Sequence, residues 1–151
     1  MDFKYVLDEI FLVKIIFDSA YLIVNLLEMI KDYSKKYNDL TKLIGELGSE
    51  IPTTMQGFND LHKATTAEGV LASKTKELIA LGIAITVRCD GCIAFHVHDA
   101  LKSGASAEEI KETIGVAILM GGGPALMYGC EALEALNQFG IFEKSESEIQ
   151  K

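Results

Sequence analysis

The chain has 151 residues, of which 49% are hydrophobic, and its formal net charge is −8 at pH 7. Trp is absent, Pro occurs twice and Ala, Leu, Ile and Glu recur throughout, which favours helices over sheets and predicts an all-α fold. The acidic balance excludes nucleic acid as a partner, because phosphate binding needs clustered Lys and Arg.

The apolar stretch of residues 10–30 raises the question of a membrane span. Lys14 and Asp18 lie inside it, and each ionised group would cost roughly 2.5–3.5 kcal/mol in a bilayer. We therefore predict that residues 1–35 are an apolar helical extension packed against protein. Membrane association is the less favoured interpretation. Met29 offers an alternative start, in which case residues 1–28 are not part of the natural chain.

Helical patterns follow one another over residues 36–140, which we assign to one helical domain, and residues 141–151 are predicted to be a polar, disordered tail. Gly48 and Gly104 are predicted to end helices, and Ser73 is predicted to cap the start of one. The predicted helices cover residues 36–47, a segment opened by Pro52, residues 74–87, residues 90–103, a segment reaching Met120 that begins with a capping box of Ser106 and Glu109, and residues 124–139 after the GGGP break.

The segment RCDGCIAFHVHDA, residues 88–100, holds two cysteines and two histidines. At 100° per residue, Cys89, Cys92 and His96 fall within a helical sector of about 60°. His98 points the other way and is predicted to be a surface or interface residue. A C-x-x-C at a helix start suits thiol chemistry, because the positive end of the helix dipole and free N–H groups stabilise a thiolate.

From the residues alone, three interpretations of this segment stay open: a redox site, part of a metal site, or core packing. Arg88 should favour a thiolate at the neighbouring cysteine and Asp90 should oppose it. Zinc would need a fourth ligand, and Cys130 and His62 are candidates without a recognisable spacing. Cys130 is predicted to be a core residue. Secreted proteins held by disulfides usually have an even number of cysteines spread along the chain. The three cysteines here do not fit that pattern, so we predict a cytoplasmic protein.

The segment from residue 71 to residue 136 resembles the carboxymuconolactone decarboxylase family, specifically its alkylhydroperoxidase D-like branch. The family pattern is a glutamate, a C-x-x-C twelve residues later and a histidine four residues after the second cysteine, here Glu77, Cys89, Cys92 and His96. The segment GASAEEI and a glycine-rich break before the last helix also match.

This resemblance implies a dithiol peroxidase or disulfide oxidoreductase. By the family pattern, Cys92 attacks a peroxide and becomes a sulfenic acid, and Cys89 resolves it as a disulfide. Glu77 and His96 would form the proton relay. The expected substrate is a small peroxide or disulfide, the expected partner is a dithiol or protein reductant, and no cofactor or metal is expected. The alternatives are a lactone decarboxylase-like enzyme without redox chemistry, and a metal-binding or structural oligomeric protein.

The chain departs from the family pattern at one position, and the resemblance also bears on its assembly. Peroxidase members often carry a histidine just before the second cysteine, and many relatives carry an aromatic residue there, whereas this chain has Gly91. Family relatives form trimers or hexamers, and the predicted helix over residues 107–120 is apolar on more than one face, with Val116 and Leu119 outside its main stripe. We therefore predict a homo-oligomer, a hexamer or a trimer.

Overall fold

The structure is a computed structural model that describes residues 31–149, with side chains described as far as residue 140. The apolar helix predicted near the N-terminus falls on residues outside this range. The all-α prediction is confirmed. The described chain forms five helices, which we label α1 (Tyr33–Glu50), α2 (Pro52–Thr66), α3 (Ser73–Val87), α4 (Asp90–Lys102) and α5 (Ala107–Ile149).

The boundary between α1 and α2 is set by proline and not by glycine. Gly48 was the predicted stop of the first helix, but α1 continues to Glu50. Ile51 is the first residue to leave the helical conformation, with φ −131° and ψ 59°. The ring of Pro52 disfavours helical geometry at the residue before it, which accounts for the break.

The start of α3 is capped differently from the prediction. Ser73 is not the N-cap; Ala72 holds that position and has no side-chain hydrogen bond to the helix. Instead the Ser73 backbone N–H donates to the carboxylate of Glu68, at 3.0 Å. A carboxylate from the preceding loop therefore satisfies one of the free N–H groups of the first turn.

A two-residue corner joins α3 to α4. Arg88 ends α3 in the left-handed conformation, with φ 61° and ψ 47°. The N–H of Cys89 then donates back to the carbonyl of Ala84 at 3.1 Å, which closes the end of α3. This corner makes Cys89 the N-cap of α4.

Helix α5 begins as predicted and ends later than predicted. The capping box is present, since the Glu109 N–H donates to Ser106 Oγ and the Ser106 N–H donates to the Glu109 carboxylate. The glycine-rich break is a single non-helical residue, Gly122, with φ 64° and ψ −151°. Helical structure then runs to Ile149, beyond the predicted end near Phe139, through a stretch whose Glu and Lys residues are good helix formers.

The core lies between α3, α4 and α5, and α1 covers one side of it through Tyr33. Helix α5 faces this core with Ile110, Ile114 and Ala117, which are buried. The other helices contribute Leu81, Ala84 and Ile85 from α3, and Ile93, Ala94, Val97 and Ala100 from α4. The C-x-x-C segment therefore begins a helix whose inner face is fully buried.

Many large apolar side chains on the described surface are exposed. On α5, Val116, Leu119 and Met120 are 62%, 81% and 76% exposed. By length and composition alone, one helix segment within residues 31–149, Ala107–Gly140, could cross a membrane. The backbone at Gly122 interrupts that segment.

Candidate active site

Cys89 and Cys92 form a disulfide at the start of α4. Their Cα atoms are 5.2 Å apart, within the usual range for a disulfide. Cys89 lies outside the helix as its N-cap, and its sulfur accepts a hydrogen bond from the Cys92 N–H at 3.2 Å. Sulfur therefore takes the place that a Ser or Asp oxygen holds at most helix starts, and it lies where the helix dipole favours negative charge.

Glu77 on α3 contacts His96 on α4. Oε2 of Glu77 lies 2.8 Å from Nδ1 of His96. The Glu77 side chain is only 4% exposed, whereas that of His96 is 21% exposed. A buried carboxylate is costly unless it is hydrogen-bonded, so the imidazole supplies the partner that Glu77 needs. With the Glu77 carboxylate as acceptor, Nδ1 of His96 is the donor, which leaves Nε2 as the ring nitrogen available for proton transfer.

The structure thus brings the four predicted site residues into two pairs around the start of α4. The disulfide joins Cys89 to Cys92. The ion-pair geometry joins Glu77 to His96, which is one turn after Cys92 on the same helix. A partly exposed imidazole, paired with a buried acid, thus lies one turn along α4 from Cys92, and such groups can serve thiol chemistry with proton transfer.

Sequence reasoning missed two residues of α1 that contact this site. Nζ of Lys36 lies 3.3 Å from Oδ2 of Asp90. Cδ1 of Leu40 lies 3.0 Å from the point where a Cβ on Gly91 would be. The Lys36–Asp90 contact joins residues 54 positions apart, and no local pattern in the sequence predicts it.

His98 and Cys130 were also singled out from the sequence, and only Cys130 differs from its predicted environment. The His98 ring packs on Tyr37 of α1, with centroids 4.1 Å apart, and Nδ1 contacts the carboxylate of Asp99 at 2.7 Å. It is therefore a half-buried residue that packs between helices of the chain. Cys130 is exposed, so the prediction of a core position is wrong. Its neighbour Gly129 is buried, and one residue of shift turns a side chain by about 100° around the helix.

Within residues 31–140, no group of three or more His, Cys, Asp or Glu side chains is arranged to hold a metal ion. His62, one of the two extra ligands considered from the sequence, is an exposed residue of α2.

The fold and the site together define a helical protein with a C-x-x-C thiol pair at a helix N-terminus, backed by a carboxylate–imidazole pair. The sequence profile of the carboxymuconolactone decarboxylase family matches residues 52–135, more than half of the chain. The chain belongs to this family.

Individual relatives agree with this assignment. An uncharacterized protein of Cupriavidus necator is 38% identical over 112 residues, covering 72% of this chain and 99% of the relative. An uncharacterized protein of Haemophilus influenzae is 39% identical over 107 residues, covering 71% of this chain and 95% of the relative. These relatives match nearly from end to end, so more than a quarter of this chain lies outside each match.

Two solved structures have a similar fold. A carboxymuconolactone decarboxylase family protein from Legionella pneumophila is 46% identical with a TM-score of 0.69, covering 71% of this chain and 96% of that one. A family protein from Thermotoga maritima, described as a candidate for a role in the antioxidative response, is 33% identical with a TM-score of 0.58, covering 62% of this chain and 96% of that one.

Proposed function

We propose that this protein is a thiol-dependent peroxidase or disulfide oxidoreductase of the alkylhydroperoxidase D-like branch. The observation that carries the proposal is the contact between buried Glu77 and His96, one turn beyond Cys92 on α4. A carboxylate held out of water against an imidazole, one turn from a cysteine that can be oxidised, is an arrangement that a proton relay can use. The description of the Thermotoga maritima relative, which concerns the antioxidative response, supports the same class of chemistry.

The oxidising half-reaction uses both cysteines. The Cys92 thiolate attacks the terminal oxygen of a hydroperoxide; the S–O bond forms as the O–O bond breaks, and the leaving alkoxide takes a proton to become an alcohol. The His96–Glu77 pair supplies that proton and accepts the one that Cys92 loses. The Cys89 thiol then attacks the Cys92 sulfenic acid, which forms the disulfide and releases water.

The reducing half-reaction restores the thiols. A thiolate of the reductant attacks one sulfur of the Cys89–Cys92 bond and forms a mixed disulfide. A second thiol of the reductant resolves it, so the reductant leaves as a disulfide and the protein regains two thiols. The donor is a small dithiol or a protein with one. We propose a cytoplasmic location, where cellular thiols keep such a pair in turnover.

A lactone decarboxylase-like activity is the alternative within the family. It would give no role to the disulfide, and for that reason we favour the redox function. The two are separated by supplying a hydroperoxide and a dithiol to the purified protein. The redox function predicts that the protein uses a dithiol to reduce either the hydroperoxide or a small disulfide. If the protein reduces neither substrate with any dithiol, the redox function is contradicted.

Mass spectrometry of the cysteine peptide tests the thiol pair directly. After reduction and then mild peroxide treatment, the peptide that spans residues 89–92 should lose two hydrogens, and reductant should restore them. If separate over-oxidised thiols appear instead, or if the purified protein holds zinc through these residues in equal amount, the redox function is wrong.

We also propose that the chain assembles with copies of itself through an apolar face of α3 and α5. A groove of about 460 Å³ lies between these helices, and its lining is apolar apart from three threonines. Thr86, which lines the groove, is nine residues from Glu77 and so lies about 180° around α3 from it. An assembly through this groove would therefore leave the Glu77 face of α3 in contact with α4.

The apolar residues beside the groove are exposed, which is the reason to propose that another protein surface covers them. Ile79, Ile83 and Val87 of α3 are each at least half exposed, next to Val116 and Met120 of α5. Contiguous apolar surface of this kind marks an interface. Family relatives are oligomeric, so we propose a trimer or hexamer.

Light scattering on the full chain tests the assembly. Replacing Ile83 and Met120 by aspartate should yield smaller particles, while the same change at exposed Phe58 on α2 serves as the comparison. A monomeric wild-type chain would overturn the proposal. Flotation of the protein with lipid vesicles would show instead that the apolar face of α5 meets a membrane.

A further inference from the structure

Both residues between the two cysteines contact α1. Lys36 forms an ion pair with Asp90, and the end of Leu40 fills the space beside Gly91. Lys36 and Leu40 are one turn apart on α1, so they lie on the same face of that helix. Helix α1 therefore covers the segment that links Cys89 to Cys92.

Anchors at its N-terminal end hold α1 in this position. The Tyr33 side chain is fully buried, and its hydroxyl donates to Glu131 of α5 at 2.5 Å. The Tyr33 N–H donates to the side-chain oxygen of Gln138 at 2.6 Å. Further along, Tyr37 packs on Phe95 of α4, with ring centroids 4.8 Å apart. Lys36 is thus presented to Asp90 by a helix with fixed contacts on both sides.

We propose that Lys36 is a positioning residue that sets the reduction potential of the Cys89–Cys92 pair by offsetting the charge of Asp90. The inference rests on the reversible disulfide of the proposed function. Asp90 follows Cys89 directly, and its negative charge destabilises a thiolate at the start of α4. The disulfide carries no charge, so the carboxylate penalises only the reduced state. Lys36 removes much of that penalty and makes the disulfide easier to reduce.

Every neighbouring helix contributes charged groups near the cysteine pair. Lys36 is the one that acts through Asp90. The Lys36 and Asp90 side chains are 34% and 27% exposed, so water screens their charges only in part. Among the residues that the structure describes, the charged and titratable groups around this end of α4 include Tyr33 and Lys36 from α1, Glu77 and Arg88 from α3 and its corner, Asp90 and His96 from α4, and Glu131 from α5 through Tyr33.

Lys35 provides a matched control. It is adjacent in sequence and also paired to a carboxylate, Asp39, but that pair is 70% and 58% exposed and lies on α1 alone. Substituting Lys35 or Lys36 by glutamine changes the net charge equally. Only the Lys36 change alters the charge at the cysteine segment.

The test is a glutathione titration of the full chain in a Cys130→Ser background, which removes the exposed third thiol. Two glutathione thiols convert the protein disulfide to a dithiol and leave as one glutathione disulfide. Alkylation and mass spectrometry then count the two states. K36Q should need a roughly 3- to 10-fold more reducing ratio for half reduction than wild type. K35Q and K36R should match wild type.

Asp90→Asn separates the electrostatic role from a structural one. The D90N variant should reduce more readily than wild type, and adding K36Q to D90N should change the titration little, because the charge that Lys36 offsets is gone. The K36Q effect should also shrink in about 1 M salt, where the screening length is near 3 Å. Coincident K36Q and K35Q titrations, or an equal K36Q effect with and without Asp90, would overturn the inference. If the wild-type pair does not titrate at all, the proposed function itself fails.

Discussion

Glu77 and His96 are 19 residues apart in the chain, and their side chains meet with Oε2 of Glu77 at 2.8 Å from Nδ1 of His96. The pair joins the buried face of α3 to the helix that begins with the disulfide. We expect Glu77→Gln and His96→Ala each to slow peroxide reduction by roughly 10²-fold, the usual contribution of general acid–base catalysis. Initial rates with a hydroperoxide and excess dithiol measure the effect.

His98 is the control for this prediction. It lies on the same helix, but its ring contacts Tyr37 and Asp99, with no contact to Glu77 among the described hydrogen bonds. His98→Ala should lower the melting temperature, because it removes packing between α1 and α4, and should leave the rate per folded molecule nearly unchanged. Equal losses of rate at His96 and His98, or full activity without Glu77, would refute the relay.

The two cysteines should fail in different ways when each is replaced by serine. In Cys89→Ser, peroxide should convert Cys92 to a sulfenic acid that persists, because no resolving thiol remains, and dimedone should label it. In Cys92→Ser, rapid reaction with peroxide should be lost. Labelling of Cys89 in place of Cys92 would reverse the assigned roles. Cys130→Ser should behave like wild type in both assays.

Local signals in the sequence were sufficient for the start of α5 and for placing the two cysteines at the start of a helix. Ser106 and Glu109 satisfy each other's backbone N–H groups, which needs only a spacing of three residues. The bridge from Cys89 to Cys92 likewise depends on residues within one turn. Such features are set by neighbours in the chain, and a single sequence contains them.

Features set by distant contacts were not predictable in this way. Cys130 lies after Gly122, whose non-helical backbone changes the direction of α5, so the stripe of the first half does not tell which residues of the second half are buried. The Lys36–Asp90 pair depends on how α1 docks on α4. Lys36 resembles any other lysine on a helical surface until that docking is known.

Gly91 takes the position where peroxidase relatives often carry a histidine, and Leu40 occupies the adjoining space. A Cβ at this position would lie 3.0 Å from Cδ1 of Leu40. Gly91→His should therefore displace Leu40 and lower the free energy of unfolding by about 1–2 kcal/mol, as overpacking usually does. Urea unfolding of the oxidised protein measures the loss.

Leu40→Ala supplies the second half of this experiment. If the two side chains compete for one space, Gly91→His should cost at least about 0.5 kcal/mol less when Leu40 is alanine. Gly91→Ala is the milder control. Its methyl group contacts only the movable end of Leu40, and the gain of roughly 1 kcal/mol in helix propensity offsets the cost of that contact, so the free energy of unfolding should change little. Additive costs at the two positions would show that Leu40 does not restrict residue 91.

Glu109 should make the stability of the fold depend on pH. A hydrogen bond from Lys74 and a second from the Ser106 N–H lower the pKa of the Glu109 carboxyl below its ordinary value of 4.5. Because the pKa is lower in the folded state, ionised Glu109 stabilises the fold above pH 4.5. That stability is lost as the pH falls through the folded-state pKa.

Glu109→Gln should therefore lower the melting temperature at pH 7, and its difference from wild type should shrink steadily below pH 4.5. Glu108 is the matched control, since it is next in sequence but its ion pair within residues 31–140 is with Lys111, at 3.6 Å, on the open surface of the same helix. Glu108→Gln removes the same charge from the first turn of α5 without removing the link to α3. If both variants lower the melting temperature equally at every pH, the effect comes from the helix dipole, and the contact between Lys74 and Glu109 does not join α3 to α5 energetically.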